Sequence, residues 1–134
     1  MLPDPEFDAL LEFGRLNKRH ISVALGWGIV VAILWLSLTP RPPHVDFESS
    51  DKVGHFMAYG GLMFWFCQLY RITRTRVAYA LGFVAMGVAI EFLQRATGYR
   101  SFEVFDMVAD ALGVLLGWAV ALALPPFLRS WTDS

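Results

Sequence analysis

Four apolar stretches, residues 21–38, 54–70, 77–93 and 107–124, constrain this 134-residue chain more than any other feature. A helix that crosses the hydrocarbon layer needs about 20 apolar residues, within a range of about 17–25. Each stretch lies near that length. The chain as a whole is 56% hydrophobic and only 17% charged, well outside the profile of an average soluble domain. The expected fold is therefore all-α: an integral membrane four-helix bundle with short loops and an N-terminal interfacial helix. Residues 1–20 read as a cytoplasmic amphipathic segment, 21–124 as the transmembrane domain and 125–134 as a cytoplasmic tail.

The interfacial helix follows from local signals. Asp4 is suited to an N-cap and Pro5 to the first helical position. Phe7, Leu10 and Leu11 then share one face, as expected of a helix lying on the membrane, although a solvated tail is the alternative. The acidic run Asp4, Glu6, Asp8 and Glu12 precedes the first apolar stretch, and Thr39-Pro40-Arg41-Pro42-Pro43 follows it. Neither flank matches a cleaved signal peptide, so the stretch reads as a retained anchor. The prolines end the first helix and open an extended loop. Gly113 and Gly117, four apart on the last stretch, permit close backbone approach to another helix.

Orientation follows from the basic residues. Arg15, Lys18, Arg19, Arg71, Arg74, Arg76 and Arg129 fall on one side, and Arg41, Lys52, Arg95 and Arg100 on the other. The positive-inside rule then places both termini in the cytoplasm. A multi-pass protein of a bacterial plasma (inner) membrane is expected. A net charge of −1 and the lack of any nucleic-acid-binding motif exclude nucleic acid as a partner. Cys67 is the sole cysteine, which excludes an internal disulfide and a cysteine-rich metal site.

The chemistry concentrates in three polar clusters, all on the outer side of that topology. Asp51, His55 and Tyr59 recur every four residues, so one helix face carries carboxylate, imidazole and phenol, with Lys52 beside them. A carboxylate next to histidine fixes its tautomer and suits general acid or base work. Asp51 equally suits a helix cap, and Lys52 a side chain reaching to the headgroups. Glu91 and Gln94, three apart, point the same way, and Glu91 needs a cation such as Lys52 or Arg100. Asp106 and Asp110 stack on one helix face and repel unless a cation lies between them, the candidates being Lys52, Arg100 or a divalent metal.

At these clusters the chain resembles the VanZ-like family, small membrane proteins named for a component associated with resistance to the glycopeptide teicoplanin. The matching residues are Asp51-Lys52-Val53-Gly54-His55-Phe56-Met57-Ala58-Tyr59, then Glu91-Phe92-Leu93-Gln94, then Arg100, then Asp106 through Gly113. The resemblance runs from about Asp51 to Gly117, half the chain. Where the family usually has asparagine this chain has Asp110, whose added charge favours a metal or a tighter pairing with Arg100. The resemblance implies a role at the cell envelope, with a link to glycopeptide resistance.

Three functions are compatible with these residues. The foremost is an accessory protein whose outer polar site binds an anionic membrane lipid headgroup or a lipid-linked envelope precursor through Asp51, Lys52, Tyr59, Gln94, Arg100 and Asp110. The second is a hydrolase or transferase acting on such a substrate, with His55, Glu91 and Asp106 as catalytic groups. The third is a charge network that only pins helices together. No cofactor is required by any of them, although the acidic groups and His55 admit a divalent metal.

Overall fold

The computed structural model describes Leu2, residues 4–40, 50–99 and 102–134, without the side chains of Ser50 and Asp51. These residues form α1 (Pro5–Leu38), α2 (Ser50–Leu69), α3 (Thr73–Thr97), α4 (Val104–Ala123) and a short α5 (Phe127–Thr132). Among them there is no strand, in keeping with the all-α expectation. The proline-rich loop, Arg100 and Ser101 lie outside the described residues.

The boundaries differ from the expected ones in ways that matter. Asp4 caps α1, its carboxylate accepting the Glu6 amide at 3.0 Å, with Pro5 opening the helix. From there α1 runs unbroken for 34 residues, so no separate interfacial helix precedes the first span. The physical reason is that nothing between Pro5 and Leu38 stops a helix: Gly14 costs only about 1 kcal/mol against alanine, and no proline intervenes. At about 1.5 Å per residue α1 is about 51 Å long, far more than a hydrocarbon layer of about 30 Å. The expected tail also holds structure. Gln68 donates to the Pro125 carbonyl at 3.2 Å and accepts the Leu128 amide at 3.3 Å, which docks α5 on the end of α2.

Helices α1, α3 and α4 are long and apolar enough to cross a membrane. Helix α2 has 20 residues but includes Asp51, Lys52, His55 and Gln68, and it is not among those three. Its burial explains how this is tolerated. Tyr59, Leu62, Met63, Phe66, Cys67, Gln68 and Leu69 are all buried, so α2 is covered on several faces by α1, α3 and α4. The outer helices turn Leu25, Trp35, Leu81, Leu115 and Leu122 outward, where lipid is the natural solvent.

Two contacts hold α2 in place. The first is a glycine seam with α4. A Cβ at Gly117 would run into the Gly60 carbonyl oxygen, and one at Gly113 into that of Phe56, so the helix backbones touch where any side chain would part them. The second lies at the α2 C-terminus, where Arg76 reaches back from α3. Its Nη2 donates to the Cys67 carbonyl at 2.8 Å and its Nε to that of Tyr70 at 2.7 Å, satisfying carbonyls that the helix end leaves open. At the other end of α3 the chain turns at Gly98, whose φ of 75° favours glycine.

Substituting Gly117→Ala is expected to cost about 1–3 kcal/mol, the usual penalty of overpacking. Thermal unfolding in detergent reads it as a lowered midpoint. The control Gly82→Ala, whose added Cβ meets nothing within 4 Å, is expected to leave the midpoint unchanged or raise it.

Candidate functional site

The α2–α4 seam brings the polar turns of α2, α3 and α4 together at one end of the assembly. Helix α2 supplies Lys52, His55 and Tyr59, α3 supplies Glu91, and α4 supplies Asp106 and Asp110 one turn apart, with Glu103 at its N-cap. His55 stands between the stacked carboxylates of α4. Its Nδ1 is 2.9 Å from Asp110 Oδ1, and its Nε2 is 3.8 Å from Asp106 Oδ2. The group between Asp106 and Asp110 is thus an imidazole, which the candidates Lys52, Arg100 and a metal did not include.

Lys52 lies at the rim and serves other acids than Glu91. Its Nζ is 2.6 Å from Glu103 Oε2 and 3.9 Å from Asp106 Oδ1. Glu91 is fully buried and accepts the Glu103 backbone amide at 3.0 Å through Oε2. That bond fastens α3 to the start of α4. Glu91 Oε1 and Asp106 Oδ1 are buried without a hydrogen-bond partner, as are Asp110 Oδ2 and Tyr59 Oη. The Tyr59 ring lies parallel to His55, with centroids 6.4 Å apart.

Not every candidate faces this cluster. Gln94 gives its amide to the Ser37 carbonyl at 2.7 Å, and Tyr99 gives its hydroxyl to that of Leu38 at 2.8 Å. Both therefore hold the open C-terminal carbonyls of α1 against α3. The side chain of Asp51 and the whole of Arg100 lie outside the described residues. Two participants were missed from the sequence. Glu103 reads as a loop acid until α4 is seen to begin beside it. Gly87 carries no chemistry of its own, yet a Cβ there would sit 2.5 Å from Asp110 Oδ2, so its absence makes room for that carboxylate.

His55, Glu91 and Asp106 each offer one ligand atom, and the three atoms lie within 4.8 Å of one another. Metal bonds to histidine and carboxylate are about 2.0–2.2 Å, so small side-chain shifts would seat one divalent ion among them. Asp110 on Nδ1 would orient the imidazole so that Nε2 faces the ion, as outer carboxylates do in histidine–metal sites.

The VanZ/LLP1 family model matches residues 19–125, which contain every described member of this cluster. The chain belongs to the VanZ/LLP1 family. An uncharacterized protein of Schizosaccharomyces pombe is 34% identical over 104 residues, covering 75% of this chain and 61% of the relative. The chain thus spans less than two thirds of that relative's length. No solved structure matches. An asparagine at position 110 would suit the same geometry, because its carbonyl oxygen can accept the same bond from His55 Nδ1.

Asp110→Asn is accordingly expected to keep this VanZ/LLP1 protein folded, with a midpoint close to the parent's. Asp110→Leu strands a ring nitrogen and is expected to cost about 1–3 kcal/mol. Thermal unfolding of the two variants side by side checks both.

Proposed function

We propose that the protein is an accessory binding protein of the membrane, whose polar mouth takes the phosphate-bearing headgroup of a lipid or lipid-linked envelope precursor through a divalent cation. The observation that carries this reading is the convergence of His55, Glu91 and Asp106 within 4.8 Å, with Glu91 Oε1 and Asp106 Oδ1 buried and accepting no hydrogen bond, and only Lys52, at 3.9 Å, near the second. Breaking compensation around a buried charge costs about 3–5 kcal/mol, so such a set calls for a cation or a shared proton.

The cation also resolves a conflict in charge. The described cluster holds the carboxylates of Glu91, Glu103, Asp106 and Asp110, which would repel a phosphate. A divalent ion reverses that sign locally, as bound metals do in phosphate sites. His55 Nε2 and the two buried carboxylates would hold the ion, and Asp110 would keep the imidazole aimed at it. Lys52, with 37% of its side chain accessible, would meet the headgroup at the rim. A nitrogen-and-oxygen donor set of this kind suits Zn²⁺ or Mn²⁺.

The basic residues at the other end support a mouth on the non-cytoplasmic side, which is the periplasm in a bacterial inner membrane. Occupying an envelope precursor there would connect the family with glycopeptide tolerance. A second reading, a hydrolase or transferase acting on the same substrate, is favoured by one feature. His55 has Nδ1 held by a carboxylate and Nε2 turned toward the gap, the arrangement of an oriented general base.

Native mass spectrometry of the full chain with a polyprenyl phosphate tests the proposal. Retention is expected with Mn²⁺, with a loss of about tenfold or more on adding EDTA or in Glu91→Gln, equivalent to about 1.4 kcal/mol. Equal retention with and without metal overturns it. Consumption of the lipid in the same samples would favour the enzyme instead.

A further inference from the structure

The far end of α2 carries a cavity whose charged lining is opposite in sign to the acidic His55 cluster. Leu69 lies about 25 Å from Lys52 along the helix, at about 1.5 Å per residue, so this cavity is remote from His55. It encloses about 230 Å³ between α1, the α2–α3 turn and α5, and its charged lining is Arg19, Arg71 and Arg129, with no carboxylate. None of these arginines forms an ion pair with a described carboxylate.

Their hydrogen bonding leaves donors unused. Arg129 Nη1 is buried without a partner. Arg19 makes one long contact, 3.5 Å to the Leu69 carbonyl, and its guanidinium lies 5.4 Å over the Tyr70 ring. Tyr70 thus positions Arg19 while its N–H groups stay available. Three guanidinium groups around one cavity repel one another unless an anion sits among them. Arginine forks match phosphate oxygens two at a time. Thr75 adds a hydroxyl to the wall, and Ile72, 68% exposed, presents an apolar edge beside it. A charged pocket with an apolar lip, set at the basic turn between membrane helices, fits a lipid headgroup better than a free ion.

We propose that this cavity binds the phosphate of an anionic phospholipid on the membrane face opposite the His55 mouth. The site uses no residue of the metal cluster and stands without it. Its test is native mass spectrometry of the full chain with phosphatidylglycerol, phosphatidylcholine or inorganic phosphate. Phosphatidylglycerol is expected to be retained over phosphatidylcholine, and EDTA is expected to leave it in place. Retention should fall about fivefold for each arginine removed, the effect of one basic residue at an anionic surface. Arg129→Gln is the direct variant. Arg71→Gln, at an exposed position, keeps the test valid should the first variant misfold, and Arg74→Gln, outside the lining, is expected to change nothing. Equal retention of both lipids overturns the proposal, as does undiminished phosphatidylglycerol in folded Arg71→Gln. Displacement by millimolar inorganic phosphate overturns the lipid as the ligand.

Discussion

His55 between Asp110 and Asp106 is the interaction on which the polar end depends. Two carboxylates one turn apart on α4 repel, and Glu91 of α3 adds a third charge with no exposure at all. The imidazole offsets part of that repulsion and ties α2 to α4. It reaches because the glycine seam lets the two backbones meet, and Asp110 has space because position 87 of α3 lacks a side chain. Packing and chemistry are therefore one problem here. Helix α2 is packed among the three long helices, and its His55 faces the carboxylates of α4.

The two ends of α2 have opposite electrostatic character. At one end buried carboxylates outnumber the basic groups that face them, and at the other arginines line a cavity without an acid. On the readings proposed above, the first takes a cation and the second a phosphate. The positive-inside asymmetry and the arginine cavity have one origin, since the α2–α3 turn and Arg19 contribute to both.

Much of the fold was legible because apolar length is a strong local signal. Residues 21–38 and 77–93 fall inside helices long and apolar enough to span, and 107–124 overruns a third such helix by one residue, its C-cap Leu124. The stretch 5–20 was misread as a separate element because amphipathic spacing says nothing about whether the next helix continues it, and only the lack of a breaker decides that. Within the site, stacking at Asp106 and Asp110 could be read from helical spacing. The partner of His55 could not: spacing pointed to Asp51 on the same helix, whereas the described contact, with Asp110, crosses from α2 to α4. Gln94 shows the same limit: spacing set it beside Glu91, but its bond is to α1 whereas that of Glu91 is to the start of α4. Glu103 and Gly87 carry no pattern of their own, and their parts follow only from what lies against them.

The account turns on one cation held by His55, Glu91 and Asp106, and electron spin-echo spectroscopy of Mn²⁺ added to the metal-free protein tests it directly. The expected spectrum carries nitrogen modulation from a single imidazole that disappears in His55→Gln while the protein stays folded. Mn²⁺ that fails to bind, or binds with no nitrogen coupling, would contradict it.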